Sequence, residues 1–164
     1  MSALKVQRVD YLNANDAQAL VFLLNAYAQD PMGGGEALQS EAATRLCADL
    51  SRIASAASFI AWLDDKPIGL INCFEGYSTF KAKPLLNVHD IVVHESVRGQ
   101  GIGQALLAWA EQRAREIGCC KLTLEVLANN AQARAAYERA GFAPYVLDPA
   151  AGQALFLQKF VGEN

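Results

Sequence analysis

Val88-His89-Asp90-Ile91-Val92-Val93-His94-Glu95-Ser96-Val97-Arg98-Gly99-Gln100-Gly101-Ile102-Gly103-Gln104 runs from an apolar strand through a glycine-rich turn into an amphipathic helix. A helix start carries unpaired N–H groups and a partial positive charge, and glycines let an anion approach them without a Cβ in the way. The stretch therefore predicts a site for a phosphate or pyrophosphate. Three phosphate-binding patterns compete, and spacing separates them. No Gly-Lys-Ser or Gly-Lys-Thr occurs, which excludes the standard nucleotide triphosphatase loop. The dinucleotide pattern G-x-G-x-x-G fails at Gln104, and the chain is short for a doubly wound dinucleotide domain with a substrate domain. What remains is R-x-x-G-x-G, met by Arg98, Gly101 and Gly103.

Downstream, Ile102 to Ile117 reads as a helix burying Ile102, Leu106, Trp109, Ala110 and Ile117 and ending at Gly118. A strand follows over Lys121 to Leu127, then a short alanine-rich helix capped by Asn129 or Asn130 and stopped by Gly141, and a last strand over Ala154 to Phe160. Upstream, Leu4 to Val9 forms a strand. Asn13 or Asn15 caps a helix carrying Leu20, Leu23, Leu24 and Tyr27, which stops before Pro31. Asp30 to Gly35 joins a helix breaker to three glycines and reads as a mobile loop or turn. Ser40 opens a second helix, Phe59 to Leu63 and Pro67 to Phe74 form a hairpin around Asp64-Asp65-Lys66, and Leu86 to Val93 is a further strand. The order of elements suggests one mixed sheet covered by helices on both faces.

The 164 residues, 52% hydrophobic and 19% charged, suit a single domain over 1–164. A formal charge of -3 gives no basic field for nucleic acid, and no stretch approaches the ~20 apolar residues that span a bilayer. The first residues do not resemble a signal peptide. Cys47, Cys73, Cys119 and Cys120 lack C-x-x-C spacing and read as reduced thiols of a cytoplasmic protein; His89 and His94 have no ligand-like neighbours, so no metal is expected.

The segment Asn130 to Phe142, NAQARAAYERAGF, adds a second signature to R-x-x-G-x-G. Together the two resemble the GNAT superfamily of N-acetyltransferases. The resemblance covers Leu86 to Phe142 closely and implies an α+β, three-layer fold: a mixed, mostly antiparallel sheet of six to seven strands with helices on both faces. It implies acetyl-CoA as donor, its pyrophosphate held by the N–H groups of Arg98, Gly99, Gln100, Gly101, Ile102, Gly103 and Gln104. Its pantetheine arm would pair with Ile91, Val92 and Val93 and run past Asn130 and Ala133. Tyr137 would be the acid that protonates the departing thiolate; its alternative is a core aromatic beside Ala133 and Ala136. Members are often homodimers, and the strand over Ala154 to Phe160 could pair across the interface.

Acetyl transfer needs a neutral amine, and an alkylamine of pKa near 10.4 is neutral about once in 2,500 molecules at pH 7. A base is therefore useful. Glu125, mid-strand among apolar residues, is expected to be that base if burial raises its pKa, a role that the resemblance supports in part through its place twelve positions before Tyr137; otherwise it is a solvent-facing or structurally paired carboxylate. Around the acceptor, Tyr77 and Asp90 lie in a run that resembles diamine and polyamine acetyltransferases, and Asp30 lies in the loop expected on the acceptor side. A small cationic amine is the expected acceptor, with a protein N-terminus or lysine as alternatives. A silent acyl-CoA sensor and a nucleotide-binding module are the competing functions.

Overall fold

The computed structural model describes residues 3–162. A five-stranded sheet has the order β1 (Leu4–Arg8), β2 (Ala56–Leu63), β3 (Lys66–Ser78), β4 (Lys83–Val93) and β5 (Leu122–Leu124), every pair antiparallel except β4 and β5. Helices α1 (Ala14–Gln29) and α2 (Ser40–Leu50) precede β2, α3 (Ile102–Glu116) joins β4 to β5, and α4 (Ala131–Arg139) follows β5. One face of the sheet packs on α3 through Ile71, Leu86, Val88, Leu106 and Ala110. The other packs on α1 and α2 through Leu20, Leu23, Leu50, Ile60, Leu70 and Val92. The three-layer expectation holds.

Local chemistry explains the elements. Asn13 caps α1 by accepting from the N–H groups of Asn15 and Asp16. The hairpin turns at Asp64 and Asp65, both left-handed with φ of 49° and 61°, the backbone that matches the twist of two joined strands. A Cβ on Gly69 would stand 3.0 Å from Ile102 and Leu106, so glycine there lets α3 lie close against β3.

Three expectations are corrected. The sheet has five strands rather than six to seven. Ala154 to Phe160 forms no strand, because a strand exists only by pairing and, among the described residues, none pairs with that segment. The strand read over Lys121 to Leu127 shrinks to Leu122–Leu124, leaving Glu125 beyond its end. In addition, Pro31–Gly33 within the glycine-rich loop is a turn of 3₁₀ helix.

The feature that positions the site is a bulge in β4. Asn72 pairs with Asp90 and Cys73 with Val88, which leaves His89 as an extra, unpaired residue. The insertion reverses the alternation of the strand. Ahead of it Leu86 and Val88 face α3; beyond it Ile91 and Val93 do, while Val92 faces α1. His89 and Asp90, although consecutive, thus share the α1/α2 face.

Candidate active site

β4 and β5 pair only over Leu86–Val88 and Leu122–Leu124, so β4 continues to Val93 with one edge open. The His94 N–H donates to the Ile68 carbonyl on the β3 side, and by alternation Ile91 and Val93 turn their backbone groups to the open edge. There the Val93 carbonyl accepts from Arg98 Nε at 3.2 Å.

That edge borders a cavity of about 430 Å³ lying between β4, the start of α3 and α4. Gly101, with φ of 81°, stands at the N-cap of α3, and no side chain caps the helix. A Cβ on Gly99 or Gly101 would meet nothing within 4 Å, so their glycine character serves backbone conformation and an open approach to the helix start. The far wall is tied in place: Gln104 Nε2 donates to the Ala136 carbonyl at 2.8 Å, and Asn130 Oδ1 accepts from the Ala133 N–H at 3.2 Å. The donor set, uncapped helix N–H groups beside an unpaired strand edge, fits a pyrophosphate followed by an amide-bearing arm.

Of the residues expected to hold the donor, Ile91, Val92, Val93, Arg98, Gly99, Gly101, Ile102, Gly103, Gln104, Asn130 and Ala133 line this cavity together with Tyr137. Gln100 is exposed and is not part of the lining. Tyr137 is packed edge-on against Phe142, and burial, then the neighbouring Tyr27, pushes its pKa up to about 12, so the phenol keeps its proton.

A second cavity, about 340 Å³, opens on the α1/α2 face and is lined by Leu24, Leu38, Leu46, Leu50 and Phe74 together with Asn72, His89 and Asp90. Tyr27 lines both cavities. Burial, followed by the charges of Asp90 and Asp30, raises its pKa. Tyr27 therefore stands between the cavity lined by Tyr137 and the cavity lined by Asp90.

Asp30, expected on the acceptor side, lines the donor cavity and not the second one. One carboxylate oxygen caps the Pro31–Gly33 turn through the Met32 N–H at 2.9 Å; the other meets Arg98 Nη2 at 3.1 Å. The Met32 bond and then Arg98 hold its carboxyl below the usual range. Gly33 packs so closely on α1 that a Cβ would lie 1.9 Å from the Tyr27 carbonyl oxygen.

Two expected residues stand elsewhere. Glu125 is exposed just past β5, with Asn87 Nδ2 3.5 Å from Oε1, and lines neither cavity; the burial expected of it is absent because β5 ends at Leu124. Tyr77 is 62% exposed near the hairpin end of β3 and lines neither cavity. Sequence reasoning missed Tyr27, read only as a helix-face aromatic, and Asn72. The available signal for Asn72 was a polar residue inside the apolar run Ile68 to Phe74. Among the described residues no group of three or more His, Cys, Asp or Glu could hold a metal, and no helix is long and apolar enough to cross a membrane.

Residues 20–142 match the acetyltransferase (GNAT) family. The chain is 42% identical over 55 residues to the uncharacterized N-acetyltransferase YycN of Bacillus subtilis, covering 34% of this chain and 35% of that protein. It is 48% identical over 65 residues to the streptothricin acetyltransferase of Streptomyces lavendulae, covering 40% and 34%. It thus spans about a third of the length of these relatives. In fold it is similar to the ribosomal-protein-alanine N-acetyltransferase of Brucella melitensis biovar Abortus 2308, with a TM-score of 0.72 at 22% identity over 96% of this chain and 100% of the other.

Proposed function

The chain belongs to the acetyltransferase (GNAT) family, and from that membership we propose that it transfers acetyl from acetyl-CoA to a small cationic primary amine, directly, in a ternary complex. The observation that carries this reading is the meeting of two separately lined cavities at Tyr27, one beside an uncapped helix start and an open strand edge, the other containing a carboxylate.

In this reading the N–H groups from Arg98 to Gln104 bind the pyrophosphate and the open edge of β4 binds the pantetheine arm. Acetyl-CoA supplies the acetyl group as a thioester. Asp90, directly or through a water, accepts the proton that the ammonium must lose before its nitrogen can form the C–N bond. The Ile91 N–H, turned to the open edge, hydrogen-bonds the carbonyl oxygen as charge develops on it. As the C–S bond breaks, Tyr137 gives its proton to the sulfur, a role supported by its retained proton. The cavity lining supports Asp90 over Glu125 as the base.

The protein acts in this reading as a cytoplasmic homodimer. Support comes from its free cysteines and from the exposed apolar side chains of Leu155, Phe156, Leu157 and Phe160, which a partner would cover.

Initial-rate kinetics with acetyl-CoA and an amine panel test the proposal. Amine-dependent CoA release with intersecting double-reciprocal lines, reduced in Tyr137→Phe and Asp90→Asn, is the expected result. Parallel lines would overturn direct transfer.

A further inference from the structure

On the α1/α2 face a polar ladder crosses three strands inside an otherwise apolar cluster. Ser58, 2% exposed, donates to Asn72 Oδ1 at 2.6 Å; Asn72, 4% exposed, donates through Nδ2 to Asp90 Oδ2 at 3.0 Å. The hydroxyl proton of Ser58 is committed to Asn72, so the Tyr11 phenol, 2.8 Å away, is the donor to Ser58 Oγ. Ser58 faces Asn72 and Asn72 faces Asp90 in register across the sheet, an alignment that for Asp90 depends on the bulge at His89.

Every donor in the ladder points toward Asp90. An amide holds a carboxylate in place but does not pass a proton along, so the ladder fixes orientation rather than conducting protons. It consumes one oxygen of Asp90. No Lys, Arg or His among the described residues forms an ion pair with that carboxylate, so its charge is left to the cavity. Besides Tyr27 and His89, the remaining side chains in the walls, Leu24, Leu38, Leu46, Leu50 and Phe74 among them, are apolar, and Asp90 is the one carboxylate in the lining.

We infer that this cavity selects a primary monoamine with an apolar body, its ammonium on Asp90 and its body against the leucines and Phe74, with Asn72 and Ser58 as positioning residues behind Asp90. The inference rests on the acetyl-transfer reading and narrows its acceptor. A diamine or polyamine would bring a second ammonium to walls that offer it no second carboxylate, and an aminoglycoside several ammonium and hydroxyl groups; each uncompensated polar group costs binding energy. The cavity volume, about 340 Å³, is at the small end for small-molecule sites.

The test is acetylated product, quantified by mass spectrometry, from acetyl-CoA with 2-phenylethylamine, putrescine, spermidine, an aminoglycoside or a short peptide. The expected result is a kcat/KM for 2-phenylethylamine at least roughly tenfold above putrescine. Asn72→Leu should raise the amine KM about tenfold while leaving the acetyl-CoA KM unchanged, a split that general loss of folding would not give. Leu46→Asp, on the half-buried wall, keeps the question open to measurement should Asn72→Leu not fold: it should move the preference toward putrescine. Preference of the unaltered protein for putrescine, spermidine, the aminoglycoside or the peptide overturns the acceptor class and leaves acetyl transfer standing. Acetylation of none of them overturns both readings. An unchanged amine KM in a folded Asn72→Leu overturns the positioning role.

Discussion

Tyr137 and Cys73 carry similarly raised pKa values, both pushed up to about 12 first by burial, yet with different consequences. For an acid the raised value means that the protonated, competent form persists at every pH below about 12. Tyr137 itself should therefore impose no loss of rate up to pH 10, and kcat/KM should fall only as the free amine loses the ammonium form that Asp90 binds. Tyr137→Phe should lower kcat by roughly a hundredfold, at the lower bound for general acid catalysis, with the acetyl-CoA KM little changed. For Cys73 the same shift means an inert thiol. A disulfide reagent at pH 8 should label exposed Cys120 in the native protein and reach Cys73 only after denaturation, as peptide mapping would reveal. Thiol-based assays of CoA release consequently need Cys120→Ser or a protein blank.

The turn after α1 is held from both sides, by Gly33 against Tyr27 and by Asp30 against Arg98. A methyl group at Gly33 has no room, so Gly33→Ala should cost about 1–3 kcal/mol in urea unfolding and raise the amine KM, since Gly33 and Tyr27 both line the acceptor cavity. Asp30→Asn acts oppositely on the donor. It releases a half-exposed Arg98 toward the pyrophosphate and removes a competing negative charge, so CoA affinity by calorimetry should rise by up to about fivefold, the range of an exposed ion pair. How legible these elements are in the sequence depends on how local their causes are. Asn13, Asp64-Asp65, the glycine turn and Gly141 act within a few residues, and the elements they delimit form where the pattern predicts. The bulge at His89 is not local: it exists only against β3. Strand alternation applied without it puts Asp90 on the α3 face, away from the cavity that it lines. A polar residue in an apolar strand is buried and hydrogen-bonded at Ser58 and Asn72, whereas Glu125 lies exposed past the end of β5.

At the scale of the whole molecule, the layers follow from periodicity, whereas the fate of the last segment does not. The apolar pattern of Ala154 to Phe160 reads as a strand, but apolar residues specify only that a surface be covered, not by which chain. Leu155, Phe156 and Leu157 are 82%, 78% and 82% exposed. Such side chains in sequence exceed the isolated apolar exposure normal for a monomer. Light scattering on the full chain should accordingly give twice the mass of 17.7 kDa, and Phe156→Glu should shift it toward the single-chain value while CoA binding persists.

The extra residue in β4 also sets how this protein tolerates change in length. Before His89 and after it the strand is read in two opposite phases, one matched to β5 and α3, the other presenting an edge to the donor and a carboxylate to the acceptor. Substituting His89 alters one side chain. Deleting it leaves Val88 and Asp90 adjacent on opposite faces, so the strand alternates without interruption while Asn72 still pairs with Asp90 and Ile71 with Ile91. A single-codon deletion at His89 is therefore milder than one at Ile91, which with the same end pairings would set Asp90 opposite Ile71 on the α3 face.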